Sequence, residues 1–132
     1  MRAADAKIKY IGRTIADDNG TIWCALSGSG VEFTYRGASL DVVLAGDDLT
    51  KLETQQYEKI KTQQDVDYAR IAVYVNNERI IDERLEVPQK TYCVWRSDKL
   101  QEITVRIVKL SEAPHSIVGI QEFVMADTDV IS

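Results

Sequence analysis

Between Val31 and Ala45 the chain alternates apolar and polar residues with a period of two, and it does so twice. Val31, Phe33 and Tyr35 alternate with Glu32, Thr34 and Arg36, and then Leu40, Val42 and Leu44 alternate with Asp41, Val43 and Ala45. Successive side chains of a strand point to opposite faces of a sheet. The pattern therefore predicts two strands, each with one face in a core and the other toward water. The glycine-rich Ser27-Gly-Ser-Gly30 precedes the first as a turn, and residues 36–39 are predicted to turn between them.

Six further runs of strand character follow at short spacing, over residues 21–26, 69–75, 79–86, 91–96, 102–110 and 116–125, with a short strand near 7–11. Turn chemistry separates them. Asp17-Asp-Asn-Gly20 is a four-residue turn signal. Asn76-Asn77 suits a tight hairpin because asparagine tolerates positive φ. Pro88 stands where no ladder donor is needed. Many short strands with almost no helical period predict an all-β fold, an antiparallel β-sandwich of jelly-roll type. Val31, Phe33, Leu40, Val42, Ile71, Val73, Ile103, Val105 and Ile107 are the expected core. The 132 residues are expected to form one domain. Residues 46–68 break the rhythm: they are polar, and Leu49, Leu52, Tyr57 and Ile60 give only a weak helical stripe. This is read as a polar insertion. The last residues, from Asp127 to Ser132, are read as a strand trailing into a tail.

Charge and composition exclude several classes. A net charge of −5 repels a phosphate backbone, and there is no basic stripe with interleaved aromatics, so no nucleic-acid partner is expected. No apolar run approaches the roughly 18 residues of a membrane span, so no membrane partner is expected. The N-terminal Met1-Arg-Ala-Ala-Asp-Ala-Lys7 lacks the apolar centre of a signal peptide, which predicts a cytoplasmic chain or one whose leader has been removed. Cys24 and Cys93 are read as free thiols in or near a core, with a single inter-sheet bridge as the alternative. His115 is the only histidine and no Cys-x-x-Cys pair occurs, so neither a zinc site nor any cofactor is expected.

Three sets of residues are candidates for function. Lys109, Glu112 and His115 form the best polar cluster, as an acid–base or sugar-binding set, or as a loop carboxylate pairing with Lys109. Trp23, Trp95, Tyr74 and Tyr92 are candidate sugar-contacting aromatics, with core packing the ordinary fate of a strand tryptophan. Glycan binding needs at least two exposed rings on one face, and burial of both tryptophans predicts none. Asp17, Asp18 and Asn19 offer oxygens to calcium but lack a full ligand loop, and a plain turn is the simpler reading.

Several blocks acting together resemble the N-terminal domain of family-two carbohydrate esterases. They are Ile11-Gly-Arg-Thr14, Ser27-Gly-Ser-Gly-Val-Glu-Phe33, Tyr35-Arg-Gly-Ala-Ser-Leu40, Ala69-Arg-Ile-Ala-Val-Tyr-Val-Asn76, Ile103-Thr-Val-Arg-Ile-Val-Lys109 with Ser111-Glu112, and Gly119-Ile120. The insertion at 46–68 is longer than the resemblance leads one to expect, and Asn76-Asn77 stands where Asp-Gly is common.

The resemblance implies a jelly roll followed, in the same polypeptide, by a serine hydrolase domain of the SGNH type. That domain removes acetyl groups from plant polysaccharides and supplies the nucleophile. The C-terminal hydrolase domain is then the expected partner, with polysaccharide or an acetylated sugar as the substrate. Val42-Val-Leu-Ala-Gly-Asp-Asp-Leu-Thr50 imitates the nucleophile motif of such hydrolases, but Asp48 stands where the serine would be. Ester hydrolysis of that type needs a hydroxyl activated by a histidine base. The chain alone is therefore expected not to be an enzyme, and residues 42–50 are read as strand and loop. The expected role is a non-catalytic support packed beside the hydrolase; the alternative is a carbohydrate-binding module using surface aromatics.

Overall fold

A computed structural model of the chain describes residues 1–24, 26–48, 69–85, 87–110 and 116–132. Among these residues a 3-10 turn, Ala3–Asp5, precedes nine strands: β1 Lys9–Ile11, β2 Thr14–Ala16, β3 Ile22–Cys24, β4 Gly30–Asp48, β5 Arg70–Val75, β6 Glu78–Arg84, β7 Gln89–Lys109, β8 Ser116–Val124 and β9 Val130–Ile131. All pairs are antiparallel, and they join into one connected sheet in the order β2-β3-β8-β4-β7-β5-β6, with β1 and β9 also on β4. The expected all-β antiparallel architecture is what the chain adopts.

Two strands organise it. β7 lies along one edge of β4 from Gly30 to Ala45. The opposite edge is shared end to end by β1 at residues 30–32, β9 at 35–36 and β8 at 41–48. The two halves of β4 thus belong to different neighbourhoods, and their inner faces meet: Phe33 contacts Phe123 of β8 edge to face, ring centroids 4.9 Å apart. All nine expected core residues are buried, with Val31, Leu40, Val42, Ile71, Val73 and Val105 fully so.

The turn expected at residues 36–39 is absent, because β4 runs through it without a break. The buried positions change parity there, from 31, 33 and 35 to 40, 42 and 44. A register irregularity accomplishes this. Gly37 faces Gln101 and Ser39 faces Arg96, so residues 97–100 of β7 bulge against the single residue Ala38. A bulge of this kind bends the strand and re-aims its side chains while the ladder resumes on either side. The break expected in β7 between residues 96 and 102 is the other half of the same feature.

Other differences are local. Gly46, Asp47 and Asp48 continue β4, so the break in rhythm starts later than residue 46; residues 49–68, with the expected helical stripe, lie outside the described residues. β2 had no alternation to announce it: Ile15 is 68% exposed, as an edge strand allows. The Asn76-Asn77 hairpin forms as expected, with φ of 51° and 69° between β5 and β6. The tail contributes β9. Both cysteines are free, Cys24 buried as expected but Cys93 exposed, because it falls between the inward-facing Tyr92 and Val94.

Candidate functional site

The candidate residues that the structure describes do not converge on one place. Lys109 closes β7 with its side chain fully buried. Its backbone N–H donates to the Ser29 carbonyl at 2.9 Å, and its carbonyl accepts the Gly28 N–H at 2.7 Å, so it is stitched to the turn before β4. Glu112 and His115 lie outside the described residues. The Cys24 thiol nearby is pushed up to about 11 by burial, against the pull of its bond to Ser29 and the charge of Lys109. It is therefore a protonated, unreactive group. Among the described residues no group of three or more His, Cys, Asp or Glu is placed to hold a metal.

The four aromatics have different surroundings. Tyr92 is buried and donates to Glu83 Oε2 at 2.5 Å, with the Lys90 ammonium 4.9 Å above its ring. Burial first, and then that carboxylate, push its phenol upward. Tyr74 faces out on β5, but its ring is occupied by two guanidiniums, Arg106 at 4.3 Å and Arg79 at 5.2 Å. Its hydroxyl accepts the Arg79 Nε–H at 3.1 Å. Trp95 packs against the core as expected, with its indole N–H buried and without a hydrogen-bond partner among the described residues.

Trp23 differs from the rest. Its neighbours Ile22 and Cys24 face the core, so it stands on the outer face of β3, half-buried and not packed against the core. What holds it is the turn before β3. Asp17 Oδ2 accepts the Trp23 indole N–H at 2.9 Å, while Oδ1 accepts the backbone N–H groups of Asn19 at 2.8 Å and Thr21 at 3.1 Å. The indole bond, followed by the Thr21 amide, lowers the Asp17 pKa. Its oxygens are thus engaged by N–H donors, in the turn that the sequence suggested. Gly119, opposite Trp23 on β8, seats the ring: a Cβ there would lie 2.8 Å from Trp23 Cζ3. Sequence reasoning found the turn and the tryptophan but not their connection.

Two grooves lie elsewhere on the described surface. One is lined by Arg70, Asp82, Glu83, Arg84, Val87 and Lys90. Its acids already face bases, with Arg70 to Asp82 at 2.7 Å, Arg79 to Asp82 at 2.9 Å and Lys90 to Glu83 at 2.7 Å. The second includes Lys7, Lys9, Glu32, Thr34, Thr104 and Ser132. Here Ser132 and Thr34 exchange both backbone bonds, each at 2.8 Å. Nearby, the buried Tyr35 Oη lies 2.5 Å from Asp129 Oδ2 and 2.6 Å from the Ser39 carbonyl, and accepts the Ser39 N–H at 3.1 Å. Tyr35 and Asp129 fasten the turn before β9 to the bulge of β4. Gly37 leaves room for them: a Cβ there would stand 2.2 Å from Tyr35 Oη.

The family described as carbohydrate esterase 2 N-terminal matches residues 10–132. No curated protein matches the chain in sequence. Among solved structures, a family two carbohydrate esterase from Cellvibrio japonicus superposes with a TM-score of 0.72 at 17% identity over 100% of this chain. An acetyl xylan esterase from the rumen bacterium Butyrivibrio proteoclasticus gives 0.75 at 19% identity, also over 100%. A family two carbohydrate esterase from Clostridium thermocellum, solved in complex with cellohexaose, gives 0.70 at 17% identity over 95%. At such identities the likeness is one of fold. In each case this chain spans 32% of the other.

Proposed function

The chain belongs to the family of carbohydrate esterase 2 N-terminal domains, and from that premise we propose that it is the non-catalytic support of a hydrolase domain carried by the same polypeptide. The parent activity under this reading is deacetylation of a polysaccharide, with nucleophile and base supplied by the hydrolase domain. The observation that carries the proposal is the match along nearly the whole chain to a domain named N-terminal, set beside esterases of which it spans only 32%.

The geometry at Ser132 suits such a role. β9 and β1 lie in one lane along the edge of β4, with Ser132 beside Thr34 and Lys9 beside Glu32. Only the position beside Phe33 separates them. A polypeptide continuing past Ser132 must leave the sheet there, over the groove that includes Lys7, Lys9 and Thr104. Two backbone bonds and the Tyr35–Asp129 anchor make that exit a fixed point rather than a loose tether, which is what a domain needs to hold a neighbour in one orientation.

The test is enzymatic. The 132-residue chain is assayed on acetylated xylan and on an aryl acetate, alone and added to the separately produced hydrolase portion. The chain alone should give no turnover above buffer, and its addition should raise the thermal midpoint of the hydrolase portion. Turnover by the chain itself, abolished by Asp48→Ala or His115→Ala, would overturn the proposal.

A further inference from the structure

The geometry points to a glycan-binding site on this domain, in which the indole of Trp23 stacks on a neutral pyranose and the Gln89–Gln121 amide pair binds its hydroxyls. The inference does not depend on a hydrolase domain being present.

The register lays the site out across five strands. Ile15 on β2 faces Trp23 on β3, Trp23 faces Gly119 on β8, Gly119 faces Ala45 on β4, and Ala45 faces Gln89 on β7. Gln89 Nε2 donates to Gln121 Oε1 at 2.5 Å. Neighbouring strands lie about 4.8 Å apart, so roughly 10 Å separates the glycine beneath the indole from the glutamine at the far end. The residues between are Gly119 and Ala45; both are buried, Gly119 beneath the Trp23 ring and the Thr21 side chain, so the indole itself lies over the start of that lane.

The chemistry of the lane selects the ligand. Ile15, Trp23, Gly119, Ala45, Gln89 and Gln121 carry no charge, in a chain whose net charge is −5. Asp17, the carboxylate bonded to the indole, already accepts three N–H groups. These six residues offer an ion no counter-charge, whereas a pyranose offers an apolar C–H face to the ring and hydroxyls to the amides. The ring is also held ready. An outward tryptophan gains little from core packing, yet Asp17 fixes its rotation and Gly119 fixes its height, which removes the ordering cost that a mobile side chain would meet on binding. Ile15, 68% exposed, extends the apolar surface beyond the indole. The two-ring requirement drawn from sequence is met differently here, by one preorganised ring and an amide pair.

The test is a titration of the 15N-labelled chain with cellohexaose and, in parallel, with xylohexaose, following the two indole N–H signals. A saturable shift of the Trp23 indole N–H, with Trp95 unmoved, is expected for at least one of the two sugars. Trp23→Ala should abolish binding while leaving the circular dichroism spectrum intact. The double variant Gln89→Ala, Gln121→Ala keeps the ring and should weaken binding by at least about tenfold, the equivalent of about 1.4 kcal/mol. It keeps the proposal testable if Trp23→Ala fails to fold. No saturable shift with either sugar at millimolar concentration would refute the site, as would binding that both variants retain.

Discussion

Tyr35→Phe is the most informative single perturbation of this sheet. The side chain is fully buried, and its oxygen sits between Asp129, the Ser39 carbonyl and the Ser39 N–H. A phenol has one proton, so it donates to only one of the two acceptors at a time while accepting the Ser39 amide. Removing the oxygen deletes a hydrogen bond to a charged group, about 1.5–3 kcal/mol, and leaves the Ser39 amide without its acceptor, about 1–3 kcal/mol. Asp129 is half-buried and recovers part of its loss from water, and the ring still fills its place, so no cavity opens. The sum is about 2–4 kcal/mol. Urea unfolding should show a lower midpoint at unchanged slope. Amide exchange should quicken at Ile131 and Ser132 more than at Val105, because the hydroxyl anchors β9. Alkali tests the same group. Burial, and then Asp129, raise the Tyr35 pKa from 10.0 to about 12. A folded pKa above the unfolded one gives stabilisation that is complete below pH 10 and is lost as pH rises toward 12. Tyr35→Phe should therefore lose less stability across that window than the parent, with Tyr92 accounting for the remainder. A variant within about 0.5 kcal/mol of the parent, the range of an unremarkable surface change, would refute the assignment of a buried anchor.

Three more expectations concern the core, the thiols and acid. Phe33→Ala should cost about 3–5 kcal/mol in urea unfolding, since the ring is buried against Phe123; an unchanged midpoint would mean that the strand register is wrong. A thiol reagent at pH 8 should modify Cys93 rapidly and Cys24 only on unfolding; two fast thiols would contradict the burial of Cys24. The hydrogen bond from Lys90, followed by that from Tyr92, lowers the Glu83 pKa below 4.5, so its contribution is present above that pH and is lost as pH falls. Glu83→Gln should flatten the acid limb of a stability-against-pH curve, modestly because the pair is open to solvent; an identical acid limb would show that the pair contributes nothing.

Alternation made most of the core legible, and one ambiguity accounts for the largest error in the fold. A change of parity between Tyr35 and Leu40 has two physical solutions, a turn that ends one strand or a bulge that keeps it going. Arg36-Gly-Ala-Ser39 supports either in isolation. What decides is the partner: β7 also changes parity, from Tyr92 and Val94 to Ile103, Val105 and Ile107, with four extra residues between. Two matched parity changes on strands that pair face to face are the mark of a shared bend, whereas two hairpin turns would have left Gly37 and Gln101 with separate neighbours. β2 was hidden for a different reason: it is three residues long at an edge, too short to show a period.

The site was less legible because its residues act through contacts that cross the sequence. Asp17 was visible as the first residue of a turn, and Trp23 as a strand residue facing away from Ile22 and Cys24, but nothing in the chain says that the one binds the indole of the other. Gly119 was visible only as part of a family-like block, and its reason appears when the Trp23 ring is found lying where its side chain would be. The same holds for Gly37, which resembles a turn glycine in sequence and proves to be the space occupied by Tyr35 and Asp129. In both places a glycine marks another residue's side chain rather than its own backbone freedom. A glycine inside a strand pattern thus carries a question about what lies above it, and in this domain the answers are an anchor beside β9 and an aromatic ring on the outer face of β3.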